Sequence, residues 1–91
     1  MLTIERIILA VDRTKFAPAQ FTPDHRHCSV ALVLAYGHSE LEACFIRRTE
    51  QMGDPWSGQV ALPGGRAGAT DVSASAVAER ETYEEIGLKL K

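Results

Sequence analysis

Cysteine is scarce. Cys28 and Cys44 are the only two in 91 residues, with no CxxC spacing and no histidine at a zinc-ligand interval. Each lies beside a strand-like apolar run, so both are expected to be buried, free thiols. Long apolar runs are missing as well. Stretches such as Ser29 to Tyr36 fall far short of the roughly 20 residues that cross a bilayer, which excludes a spanning helix. The opening Met1-Leu-Thr-Ile-Glu-Arg carries an acid and a base within its apolar start, and no small-residue cleavage site follows. No secretory leader is therefore expected, and the chain reads as cytoplasmic. Charge of one sign is not in excess either. Ten Lys and Arg against twelve Asp and Glu leave a formal charge of -2, too balanced to announce nucleic acid or an anionic membrane as a partner. What is present, 45% hydrophobic and 24% charged residues, describes one soluble domain with a core near the lower size limit.

Along the chain, Ile4, Ile7, Ile8 and Val11 recur at helical spacing between Glu5, Arg6, Asp12 and Arg13. They predict a short amphipathic helix within residues 3–15, although Ile7, Leu9 and Val11 also alternate as a strand would. Pro18 and Pro23 then break the chain, and Asp24-His-Arg-His27 reads as a polar loop. From Ser29 to Tyr36 the residues are apolar and rich in β-branched side chains. Gly37-His-Ser-Glu40 is a turn cluster and Leu41 to Arg47 a second apolar run, and together they predict a β-hairpin. Residues 48–58 form a loop. Gln59 to Leu62 has room for one brief strand, which Pro63-Gly64-Gly65 should end. Val72 to Ile86 contains neither Gly nor Pro and is rich in Ala and Glu, so it predicts a helix with Asp71 or Ser73 as its N-cap and Gly87 just past its end.

That helix carries the chemistry. Glu81, Glu84 and Glu85 stand at i, i+3 and i+4 and share one face, with Glu79 nearby. Carboxylates so placed repel one another by a few tenths of a kcal/mol per pair (about 0.2–0.5), and the helix C-terminus adds partial negative charge. A positive partner is called for. Arg80 lies about 100° round the helix from Glu81 and can neutralise only part of the cluster. A hard divalent cation is the other candidate, because Mg²⁺ takes a few carboxylates together with substrate phosphate oxygens. The alternative is a solvated acidic face.

The order Gly65, Asp71, Arg80-Glu81, Glu84-Glu85, Gly87-Leu88 resembles the signature of the Nudix hydrolase family, G-x5-E-x7-R-E-U-x-E-E-x-G-U with U a bulky apolar residue. Asp71 takes the place of the first Glu, eight residues rather than seven separate it from Arg80, and Thr82 fills the first bulky position. Upstream, Gly58-Gln-Val-Ala-Leu-Pro-Gly-Gly65 is similar to the segment entering the box in coenzyme A pyrophosphatase-like members. Leu62 replaces a typical Phe there, and Asp54 replaces a typical Arg.

The resemblance implies an α/β architecture: a partial Nudix fold with a mixed sheet and the box loop and helix, occupying residues 1–91 as one truncated domain. In the family, further strands and a second helix follow the box, so the chain is expected to be a fragment or to be completed by self-association as a homo-oligomer. The implied activity is Mg²⁺- or Mn²⁺-dependent hydrolysis of a pyrophosphate bond in a nucleoside diphosphate linked to another group, coenzyme A or a related nucleotide. Glu81, Glu84 and Glu85 map onto metal ligands, with one of them as a base, and Gly65 offers a backbone carbonyl. Arg80 is the implied ion-pair partner of Asp71. Gly64, Gly65 and Arg66 are expected at the substrate, and Arg47 and Arg48, ending a strand, are candidates for phosphate contact. The non-enzymatic alternative is a Nudix-like module that binds a metal-nucleotide or a partner chain. Trp56 reads as a loop anchor beside Pro55, or else as a stacking surface for a base. His25, His27 and His38 lie in expected loops without matched partners and read as surface histidines.

Overall fold

A computed structural model describes residues 1–13, 20–24 and 26–90. His25 and the end of the expected N-terminal helix lie outside the described residues. The N-terminal helix α1 spans Ile4–Arg13, so the 3.6-residue period prevails over the alternating one. Its first turn is tied down by Tyr36, whose hydroxyl accepts from the Ile4 amide at 3.0 Å and donates to Glu5 Oε2 at 3.4 Å. No helix among the described residues is long and apolar enough to cross a membrane.

Among the described residues six short strands follow: β1 Cys28–Val30, β2 Leu34–Tyr36, β3 Leu41–Ala43, β4 Ile46–Arg47, β5 Val60–Ala61 and β6 Gly64–Arg66. They form three antiparallel pairs, β1 with β6, β2 with β3 and β4 with β5, in place of the single mixed sheet expected. The predicted hairpin is present as β2 and β3, closed by the Gly37 amide on the Glu40 carbonyl at 2.8 Å. Neither apolar run is one strand, however. Ser29 and Val30 pair with Gly65 and Gly64, whereas Ile46 and Arg47 pair with Ala61 and Val60. Each run changes partner midway, which interrupts its ladder.

The brief strand ends before Pro63 as expected, at Ala61, but Gly64 then opens a further strand, β6, that was not expected. The absence of a side chain is what allows this pairing. A Cβ on Gly64 would overlap the Ser29 carbonyl oxygen and the Val30 Cα across the ladder. The expectation of buried thiols also fails: Cys28 is exposed and Cys44 half-buried, both free. The single neighbouring strand β6 leaves the Cys28 side of β1 uncovered.

Helix α2 spans Ala74–Ile86. Ser73, not Asp71, is its N-cap, with Oγ accepting from the Ala76 amide at 3.1 Å. Gly87 adopts φ 70°, and its N–H closes on the Tyr83 carbonyl at 2.8 Å, a left-handed cap that favours glycine. The buried centre is small and lies where α2 meets β1 and β6. Val77 is fully buried, and Ala31, Pro63 and Ala67 are buried as well. Thr82, in a position where the box calls for a bulky apolar residue, is fully buried too, and its hydroxyl donates to the Ala78 carbonyl one turn back at 2.7 Å. That bond satisfies the hydroxyl and makes the substitution tolerable.

Candidate active site

Packing α2 on β6 lays the acidic face of the helix along the glycine strand. Glu85 Oε1 accepts from the Gly64 amide at 2.8 Å. The Glu81 carboxylate lies over Gly65, where a Cβ would come within 2.5 Å of its Cδ. Two of the three aligned carboxylates are thus held against backbone that glycine leaves bare, and the third, Glu84, faces solvent at 55% side-chain exposure.

Arg80 organises the rest. Its Nε and Nη2 grip Asp71 at 3.0 and 2.8 Å, in the bidentate geometry that makes such pairs strong. The same Nη2 donates to the Arg66 carbonyl at 3.0 Å, and Nη1 donates to Glu81 Oε1 at 3.0 Å and to Glu84 at 3.3 Å. The ion pair expected between Asp71 and Arg80 therefore forms despite the shorter acid and the longer interval. Asp71 Oδ2 also accepts from the Gly68 amide at 2.7 Å. Arg80, with Gly68, holds the Asp71 carboxyl below the usual carboxylate range, and Asp71 in turn raises the guanidinium further above its already high value.

The reach of Arg80 was only partly legible. As expected it neutralises part of the cluster: it touches Glu81 and Glu84, whereas Glu85 depends on the Gly64 N–H. Its contact with the Arg66 carbonyl carries no sequence signal, because it joins a side chain to backbone across 14 positions. Gly64 and Gly65, expected at the substrate, lie against Glu85 and Glu81, and the Arg66 carbonyl meets Arg80. Arg47 and Arg48 are not brought there: Arg47 lies exposed on β4, and Arg48 pairs with Asp54 at 2.9 Å. Among the described residues, no hydrogen bond or ion pair joins either arginine to Glu81, Glu84 or Glu85.

The donor chemistry suits a hard divalent cation, since the face offers carboxylate oxygens next to a strand with no intervening Cβ. Among the described residues, no three His, Cys, Asp or Glu side chains already converge as a metal cluster. Nη1 of Arg80 provides the positive charge between Glu81 and Glu84 instead.

The family model of the NUDIX domain matches residues 25–91. An uncharacterized protein of Schizosaccharomyces pombe (strain 972) is 35% identical over 82 residues, covering 72% of this chain and 25% of that protein. The chain belongs to the Nudix family, a family of hydrolases, and the two helices and short antiparallel strand pairs among its described residues make up a partial Nudix fold. It spans only 25% of the length of the curated relative that it matches.

Proposed function

We infer that this chain carries, as one domain over residues 1–91, the site of a Nudix pyrophosphohydrolase that cleaves a nucleoside diphosphate linked to another group. One observation supports this above all: Glu81 and Glu85 are laid against the Gly64–Gly65 backbone, with Arg80 fastened to Asp71 behind them. Glu81, Glu84 and Glu85 would hold Mg²⁺ or Mn²⁺, with the Gly65 carbonyl as a further oxygen donor. When bound, such an ion neutralises pyrophosphate charge and makes water more acidic. Asp71 orients Arg80, and Arg80 keeps Glu81 and Glu84 directed to the same side of the helix. The Gly64 amide fixes the Glu85 carboxylate. One of the three glutamates accepts the proton of the attacking water. Arg66, on the same strand, would meet phosphate. The segment 58–65 supports a coenzyme A or related nucleotide substrate by its similarity to that branch, while Asp54, engaged by Arg48, occupies the position of an expected arginine.

A second reading is a non-catalytic module that binds a metal-nucleotide or a partner chain. It is favoured by the occupancy of Glu81 and Glu84 by Arg80 Nη1. Chromatographic detection of the phosphate monoesters formed from coenzyme A, ADP-ribose or dinucleotides, or of the monophosphate and pyrophosphate formed from nucleoside triphosphates, with Mg²⁺ or Mn²⁺, separates the two. Hydrolysis that Glu81→Gln abolishes is the expected result. Nucleotide binding without hydrolysis would instead establish the module.

A further inference from the structure

Arg80 divides its guanidinium between two kinds of partner. Nε and Nη2 hold Asp71 at 3.0 and 2.8 Å, and Nη2 also reaches the Arg66 carbonyl at 3.0 Å. The Asp71 side chain is only 6% exposed and accepts from the Gly68 amide as well, so this half of the fork is fixed. Nη1 lies instead 3.0 Å from Glu81 Oε1 and 3.3 Å from each oxygen of the solvent-facing Glu84. An exposed pair of that length is weak and exchanges readily.

The carboxylate oxygens are engaged unequally. Glu81 Oε2 and Glu85 Oε2 accept no hydrogen bond from any described residue, whereas both oxygens of Glu84 meet Nη1. Holding one ion with all three carboxylates therefore requires Arg80 to release Glu84. We propose that Arg80 is a latch on the glutamate face: without an ion Nη1 closes Glu81 to Glu84, and on divalent-ion binding it releases Glu84 while Nε and Nη2 stay on Asp71. This latch rests on the metal-ion reading of the face. The guanidinium relieves repulsion among the carboxylates when no ion is present, and by competing for the same oxygens it lowers the affinity for one. Asp71 keeps the exchange local, because it holds the rest of the side chain in place.

Arg80→Lys tests the fork rather than the charge, since an ammonium stays positive but cannot reproduce the planar spread of donors from Asp71 to Glu84. Calorimetry with Mg²⁺ alone, on the full chain and on Arg80→Lys, should show affinity about two- to fivefold higher in the variant, the scale of one exposed ion pair. A role confined to positioning Glu81 and Glu84 gives the opposite, weaker binding by the variant. Circular dichroism identical to the parent establishes that the variant is folded. The parent also supplies a measurement that needs no variant. In nuclear magnetic resonance of its labelled arginine side chains, saturation with Mg²⁺ should speed rotation about the Cζ–Nη1 bond of Arg80 and leave its Nε–H signal, held by Asp71, in place. Affinity in a folded Arg80→Lys chain that equals or falls below that of the parent, or an Nη1 still held at saturation, overturns the latch and leaves the ion site standing. Absence of Mg²⁺ binding from both chains overturns the metal-ion reading as well.

Discussion

Adjacent glycines in β6 should respond to the same substitution in opposite ways. Neither Gly64 nor Gly65 needs the left-handed backbone, so alanine is disfavoured only by what its Cβ would meet. At Gly64 that is backbone, the Ser29 carbonyl and Val30 Cα, which cannot yield without parting β1 from β6. Overpacking of this kind costs about 1–3 kcal/mol, and each ladder hydrogen bond lost adds about 1 kcal/mol. A total near 3 kcal/mol lowers Tm by roughly 12–24 °C in a domain of this size, at about 4–8 °C per kcal/mol. At Gly65 the Cβ meets the end of a flexible side chain, the Glu81 carboxylate, at 2.5 Å. Glu81 can rotate away at about 0.5–1.5 kcal/mol, the cost of an off-rotamer torsion, so Tm falls by about 2–12 °C, less than for Gly64→Ala. The displaced carboxylate, however, can no longer share an ion with Glu84 and Glu85. Thermal unfolding by circular dichroism and Mg²⁺ or Mn²⁺ calorimetry on Gly64→Ala and Gly65→Ala would test this. A Gly65→Ala protein that binds the ion as the parent does, or a Gly64→Ala protein as stable as the parent, would refute the reasoning.

Glu84→Gln should abolish divalent-ion binding at this face while changing stability little, because it removes a proposed ligand together with some like-charge repulsion. Unchanged Mg²⁺ affinity in calorimetry would count against it. The depressed Asp71 carboxyl contributes stability that is present above its ordinary value of 3.8 and is lost as pH falls through its lower folded value. Acid unfolding of Asp71→Asn should therefore be flatter than that of the parent below pH 3.8, and superimposable curves would exclude the ion pair as a source of acid sensitivity. Thr82→Val keeps the buried shape and removes only the hydroxyl bonded to Ala78, so its unfolding free energy by chemical denaturation should stay within about 1 kcal/mol of the parent. A much larger loss would mean that the hydroxyl does more than satisfy itself.

By itself the sequence determined what depends on residues close in the chain. The period of Ile4, Ile7, Ile8 and Val11 specifies α1, Ser73 and Gly87 bracket α2, and helical spacing alone puts Glu81, Glu84 and Glu85 on one face. The pairing of Asp71 with Arg80 was legible in the same way, through the box. Tertiary structure decided whatever needed a distant partner. It paired Gly64–Arg66 with Cys28–Val30, which turned an expected strand end into a strand and left Cys28 exposed. It also gave Glu85 the Gly64 amide and Arg80 the Arg66 carbonyl, contacts made by backbone groups that every residue possesses and no composition marks. The loop of residues 48–58 shows the same division. Its turn residues were readable, but Arg48 went to Asp54 and the indole stayed outside, because the loop found its hydrogen bonds within itself once β4 and β5 brought its ends together.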